Sequence, residues 1–179
     1  MGTEIEGFRA PCFRLDINRL NILKELGFKY DSSYLNFPRA RQTVPLDLSN
    51  FDEISKGIYY DGSFFEFEMS KQKIFGRPYP ISGGGYVRLY NWPFIKGVIR
   101  HYLKNNDYYV FYLHPFELTR QKIPYIKELK SYDKYYLRNG IKKYGKHIEQ
   151  IIKLAKKLGY TFITFEELAA VLEQSNQTK

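Results

Sequence analysis

A run of strand-forming residues that ends on a histidine places the strongest constraint on this chain. Residues 108–113 read Tyr-Tyr-Val-Phe-Tyr-Leu, and His114 and Pro115 follow directly. Aromatic and β-branched residues favour strands, so the run predicts a buried strand with His114 at its carboxyl end. In α/β folds such strand ends face the active site, and imidazole exchanges protons near neutral pH. His114 is therefore either an acid–base residue or a core histidine satisfied by a backbone group.

Helical and strand patterns alternate along the rest of the chain, which predicts an α/β fold. Asp16 is a candidate N-cap for a helix that reaches Leu26 and stops at Gly27, and a short strand to Asp31 follows. The pattern predicts one domain over 1–179. Its predicted regular elements are strands over 64–69 and 160–164 and helices over 92–105, 134–158 and 165–174. Its predicted irregular parts are an insertion over 35–62, a glycine loop over 81–89 and a polar tail over 175–179.

The positive charge of the chain is concentrated in one region. The net charge is +9, and residues 120–158 hold 12 Lys and Arg against three Asp and Glu. This basic helix is either a solvated face or a surface that attracts an acidic polymer. No nucleic-acid-binding motif accompanies it, so nucleic acid is not an expected partner. The chain has one cysteine, no apolar stretch of membrane-spanning length and no signal-like start. These features favour a cytoplasmic protein without a membrane partner.

Four short segments occur in an order and spacing that resemble a known enzyme family. They are Gly-Phe-Arg-Ala-Pro at 7–11, Tyr-Asp-Ser-Ser at 30–33, Gly-Gly-Gly-Tyr at 83–86 and Leu-His-Pro at 113–115. Together they resemble the polysaccharide deacetylases of the NodB-homology type (carbohydrate esterase family 4), in the branch found in exopolysaccharide gene clusters. The resemblance runs from Gly7 to about Leu168. It implies a distorted (β/α) barrel in which a divalent metal, usually zinc, helps to remove N-acetyl groups from a polysaccharide or oligosaccharide.

The resemblance also implies roles for individual residues. His114 would be the general acid that protonates the leaving amine, and Leu113 would line the acetyl pocket. Arg9 would hold the catalytic aspartate, and the Cys12 backbone N–H would be an oxyanion donor, with the Cys12 side chain small and buried. Asp31 would orient the histidine, or it is a turn-forming residue that caps a strand end.

The remaining predicted substrate-binding residues belong to the arginine and glycine segments. Pro11 completes the first of these motifs. Gly84, Gly85 and Tyr86 lie in a loop that either lets substrate approach the backbone closely or makes a tight turn. The loop does not resemble a phosphate-binding loop, because the Lys-Ser/Thr signature is absent.

The family's metal and base motifs are missing from this sequence. Neither Thr-Phe-Asp-Asp nor His-x-x-x-His occurs, and the other two histidines, His101 and His147, lie on different predicted helices. A zinc site needs three protein ligands, and no such set is evident. The chain is therefore expected to be the C-terminal part of an incomplete barrel that has no activity alone and is completed by a missing N-terminal segment or a second chain.

Two further expectations follow from the incomplete barrel. Unpaired sheet edges favour self-association. The alternative to an enzyme part is a non-catalytic remnant that binds a carbohydrate or an anionic polymer.

Overall fold

The computed structural model describes residues 5–36, 46–119 and 126–177. It has a mixed α/β architecture with six α-helices in those ranges. The chain divides into two compact units, Met1–Met69 with Phe162–Lys179, and Ser70–Thr161. None of the helices in the described ranges is long and apolar enough to cross a membrane.

The first unit contains a five-stranded sheet and two helices. The strands are β1 (Gly7–Phe8), β2 (Tyr30–Asp31), β3 (Asp52–Ser55), β4 (Ile58–Tyr60) and β5 (Phe65–Phe67), in the order β1-β2-β5-β4-β3. β1, β2 and β5 are parallel, whereas β4 is antiparallel to both β5 and β3. The helices are α1 (Ile17–Glu25) and the C-terminal helix (Phe165–Gln177).

Helix α1 confirms its predicted capping. The Asp16 carboxylate accepts a hydrogen bond from the Arg19 backbone N–H at 2.9 Å, and Gly27 follows the helix with a positive φ of 86°. Leu20 and Leu23 are buried in the core of this unit. The helix therefore begins and ends where its local sequence signals indicate.

Two sequence expectations about this sheet are wrong. Residues 52–60, inside the predicted irregular insertion, form the β3–β4 hairpin, while 37–45 of that insertion lie outside the described residues. β3 is an exposed edge strand, so it has no alternating apolar pattern to reveal it. β5 is not half-exposed: all three of its residues are buried, because β2 and β4 flank it and Phe165 stacks on Phe67.

The second unit combines a hairpin with four helices. The strands are β6 (Lys71–Ile74) and β7 (Arg77–Pro80), and the helices are α2 (Gly84–Leu89), α3 (Trp92–Lys104), α4 (Ser131–Arg138) and α5 (Ile141–Lys157). The C-terminal helix of the first unit is then α6. Buried residues of α3 and α5, among them Ile99 and Ile151, form the core of the second unit. Asn91 caps α3 as predicted, accepting from the Phe94 backbone N–H.

The predicted 134–158 helix is two helices. α4 and α5 are separated at Asn139 and Gly140, and Gly140 has a φ of 76°. A side chain at Gly140 would meet the Arg88 backbone and side chain, so the junction requires glycine for space as well as for conformation.

Four further sequence predictions, for residues 81–89, 108–113, 160–164 and 175–179, differ from the structure. Gly84 to Leu89, predicted as a loop, form helix α2. The 108–113 run is not a ladder strand in the described structure, because only Tyr112 pairs, in an isolated parallel bridge with Gly83, and α2 begins at the next residue. Residues 160–164, predicted as a strand, belong to no strand in the described part of the chain, and 161–164 are exposed. The predicted polar tail is helical as far as Gln177.

Candidate functional site

The segment that leads to His114 is aligned by the glycine segment before α2. The Tyr112 backbone N–H donates to the Ser82 carbonyl at 2.7 Å, and the Gly84 N–H donates to the Tyr112 carbonyl at 3.1 Å. Val110, two residues earlier, is buried and donates its N–H to the Ser70 Oγ at 2.9 Å. These contacts bring together the predicted glycine and histidine motifs within the second unit.

His114 lies at the start of a 3₁₀ helix, Pro115–Leu118, with its side chain exposed. Its backbone N–H donates to the Glu117 Oε2 at 2.9 Å, and its carbonyl accepts from the Glu117 N–H at 2.9 Å. The imidazole lies 5.6 Å from the ring centroids of both Tyr112 and Phe116. The alternative of a core histidine is wrong, because the ring is accessible while the backbone is held.

A buried ion pair supports the backbone of His114. The Arg88 Nε lies 3.0 Å from the Glu117 Oε1, and both side chains are fully buried. Arg88 also donates to the backbone carbonyls of Tyr136 and Asn139. A buried charge is tolerated when it is paired and its donors are satisfied, as here. Sequence reasoning missed this pair, because the segment that holds Arg88 was predicted as a loop and Glu117 lies 29 positions away.

The predicted substrate-binding glycines have close protein neighbours. Gly84 and Gly85 are buried, and a Cβ at Gly84 or Gly85 would meet the ring of Tyr112 or Tyr136, respectively. These contacts require glycine for protein packing. Tyr86 is half-buried in the first turn of α2, and Leu113 is exposed beside His114.

In the first unit, the arginine motif contacts the Tyr-Asp-Ser-Ser segment. The Arg9 Nε donates to the Ser32 carbonyl and its Nη2 to the Ser32 Oγ, both at 2.8 Å. The Ala10 N–H donates to the Ser33 Oγ at 2.8 Å. The guanidinium lies 5.6 Å from the ring centroid of Phe165. Strands β1 and β2 thus bring the Arg9 and Asp31 motifs together.

Pro11 and Cys12 form a surface 3₁₀ helix over Pro11–Phe13. The backbone at Cys12 and Phe13 is left-handed, with φ values of 56° and 57°. The helix buries none of its residues, so the Cys12 side chain is exposed and the expectation that it is buried is wrong.

Asp31, the last residue of β2, and Glu66, the central residue of β5, form a fully buried carboxyl pair across the two paired strands. The Asp31 oxygens accept from the Ser33 N–H at 2.7 Å and its Oγ at 3.0 Å, which is the turn geometry expected of an aspartate at a strand end. The Glu66 Oε1 accepts from the Ser33 and Tyr34 N–H groups, both at 2.9 Å. The Glu66 Oε2 is buried with no donor in the described part of the chain.

Burial favours the protonated form of both carboxyl groups. Burial raises the pKa of Glu66 well above its usual value, and the Asp31 carboxylate raises it further. Burial also raises the pKa of Asp31, against the hydrogen bonds from Ser33. Protonation would turn the Glu66 Oε2 into a donor, for which Asp31 is the neighbouring acceptor. Glu66 was missed from the sequence because the alternating Phe-Glu-Phe pattern is typical of a half-exposed strand.

The two other histidines have the ordinary surroundings that were expected of them. His101 is exposed on α3, and His147 stacks on Trp92 with 4.0 Å between ring centroids. Burial lowers the pKa of His147. Within 5–36, 46–119 and 126–177, no three His, Cys, Asp or Glu side chains form a group that could hold a metal. These residues therefore do not fit the zinc that the resemblance implies.

Comparison with known proteins places most of the chain in one family. No curated protein and no solved structure matches the chain. The family model of a domain of unknown function, DUF3473, matches residues 32–169, a span that holds the glycine and histidine segments, all of the second unit and about half of the first. The chain therefore belongs to the DUF3473 family.

Proposed function

We propose that this chain is part of a metal-dependent polysaccharide deacetylase and supplies its general acid, His114. One observation carries the proposal: the imidazole is exposed while its backbone is held by Glu117, which is itself paired with buried Arg88. A general acid needs a fixed position and an accessible proton. The same proposal assigns the described sheet to part of a (β/α) barrel.

The proposed step is proton transfer from His114 to the leaving nitrogen of an N-acetylated sugar. The exposed Leu113 offers an apolar contact for the acetyl methyl group. Arg9 directly follows β1, and its guanidinium donates a hydrogen bond to the Ser32 carbonyl. The resemblance implies that Arg9 also holds the carboxylate that acts as the base. Of its two expected roles, Asp31 is proposed to form the turn after β2, because both of its carboxylate oxygens accept hydrogen bonds from Ser33.

The base and the metal would have to come from residues other than those described. No step is assigned to a metal, since the described side chains do not form a ligand set. The chain alone is therefore proposed to be catalytically incompetent. The second candidate, a non-catalytic glycan- or polymer-binding protein, is favoured by the exposed lysines of α5, which include Lys142, Lys146 and Lys153.

Imidazole NMR tests whether His114 faces a sugar. The chain is titrated with tetra-N-acetylchitotetraose while the side-chain signals of His114 and His101 are followed. We expect the His114 signal to shift in a saturable manner and the His101 signal to stay unchanged, since His101 is an equally exposed histidine on a helix. A static His114 signal, or equal shifts of both residues, would contradict the proposal.

A further inference from the structure

Helix α4 exposes aromatic rings that a helix of a soluble protein usually packs. Tyr132 is 58% exposed and Tyr135 is 56% exposed, and Tyr136 completes a set with i, i+3 and i+4 spacing. Residues at this spacing share one helix face. α4 therefore presents a tyrosine face, defined here as Tyr132, Tyr135 and Tyr136.

The tyrosine face is held in place by the second unit. The rings of Tyr132 and Tyr136 stack with their centroids 6.4 Å apart. The Arg88 guanidinium lies 5.4 Å from the centroid of Tyr136, and Gly85 leaves space for that ring. Because Arg88 is fixed by Glu117, the position of Tyr136 is set by buried contacts. A preformed aromatic surface loses less entropy when it binds a ligand.

The same contacts connect the tyrosine face to His114. Arg88 contacts Tyr136 on one side and Glu117 on the other, and Glu117 accepts from the His114 backbone N–H. All four residues belong to the second unit. The tyrosine face and the His114 backbone are therefore held by the same buried ion pair.

Positive charge is concentrated in the part of the chain that contains α4. Residues 126–158 contain ten Lys and Arg and three Asp and Glu. Arg138 lies one helical turn from Tyr135 on the same face, and the lysines of α5 follow α4 directly along the chain. The charge is complementary to a polyanion, and tyrosine rings have an apolar face with a polar edge, as pyranose rings do.

We propose that the tyrosine face of α4 binds the sugar rings of an acidic, carboxylate-bearing polysaccharide. Tyr132 and Tyr135 stack on the C–H faces of pyranose rings, and the neighbouring lysine and arginine side chains pair with uronate carboxylates. This inference rests on the proposed function, since it names the substrate class of the same protein. The test of this inference measures binding and not acetate release. Failure of the deacetylase proposal would therefore be distinguishable from failure of this inference.

Calorimetric titration with an oligomannuronate hexamer is the test. We expect Tyr132→Ala with Tyr135→Ala to weaken binding by about tenfold, because two stacking contacts are lost. The Tyr→Phe versions keep the rings and should stay within about twofold of the wild-type affinity. Phe75→Ala is the matched control, because Phe75 is an exposed aromatic residue, 96% accessible, on the β6–β7 hairpin of the same unit.

Salt dependence and two other anionic ligands test whether the tyrosine face recognises sugar as well as charge. Raising NaCl from about 50 mM to about 300 mM should weaken binding, since exposed charges are screened. Unchanged affinity in the double alanine variant, or an equal loss in Phe75→Ala, would overturn the proposal. Tyrosine-dependent binding of an RNA oligonucleotide or of phosphatidylglycerol vesicles at the same affinity would also overturn it, because the face would then select charge and not sugar.

Discussion

At the scale of single residues, the clearest result is the buried carboxyl pair of Asp31 and Glu66. Asp31 was recognisable from its place in the Tyr-Asp-Ser-Ser segment, whereas its partner was not. Strand pairing between β2 and β5 brings Asp31 opposite Glu66, and such a partner is separated by 35 positions in the chain. Local patterns do not carry this information, because the register of parallel strands is set by tertiary packing.

The carboxyl pair predicts a pH-dependent stability that Glu66→Gln reduces, while Asp31 still titrates. The folded-state pKa of Glu66 lies above its ordinary value of 4.5, so its contribution to stability is full below that pH and is lost as the pH rises. The loss reaches up to about 1.4 kcal/mol per pH unit until the folded-state pKa is passed. Glutamine keeps the acceptor for Ser33 and Tyr34 and donates to Asp31 without titrating.

Urea denaturation at about pH 5 and about pH 8 measures the effect. We expect Glu66→Gln to resemble the wild type at the lower pH and to be the more stable of the two at the higher pH. Glu25→Gln, at an exposed position of α1, is the control and should follow the wild type at both. Parallel pH profiles for Glu66→Gln and the wild type would contradict the raised pKa of Glu66.

At the scale of elements, the starts of α1 and α3 were predictable from the local sequence, whereas the strand pairing of residues 52–60 and 108–113 was not. Asp16 and Asn91 cap α1 and α3 by contacts within three residues, so the sequence shows them directly. The 108–113 run has the composition of a strand, but a strand also needs a second strand to pair with. Its only described partner is Gly83, and the chain turns into α2 at Gly84. The break between α4 and α5 depends on the packing of Gly140 against Arg88, which is equally remote in sequence.

Two helical glycines make a matched test of the glycine segment. In Gly85→Ala the new methyl group meets the ring of Tyr136, and we expect the free energy of unfolding to fall by about 1–3 kcal/mol. Gly97 lies in α3 with no neighbour near its Cβ position. Gly97→Ala should therefore stabilise the protein by up to about 1 kcal/mol through helix propensity.

Both variants are compared with the wild type by thermal and urea denaturation. A neutral or stabilising Gly85→Ala would mean that Tyr136 does not occupy this space. That result would also remove the support that Gly85 gives to the tyrosine face.

At the scale of the whole molecule, the absence of a zinc ligand set stays an expectation from the sequence, because the structure describes only residues 5–36, 46–119 and 126–177. The return of α6 to the first unit, where Phe165 packs on Tyr30 and Phe67, could not be read from local patterns. Self-association through the outer strands β1 and β3 stays a prediction.

The measurement that tests the central claim is acetate release from an N-acetylated chitin oligomer in the presence of zinc. We expect no release by the chain alone. Release should appear when it is combined with a separately expressed segment that carries Thr-Phe-Asp-Asp and His-x-x-x-His motifs, and His114→Ala should lower it by about 10²–10⁴-fold while His101→Ala leaves it unchanged. Acetate release by the isolated chain, or full activity of His114→Ala in the combination, would contradict the account.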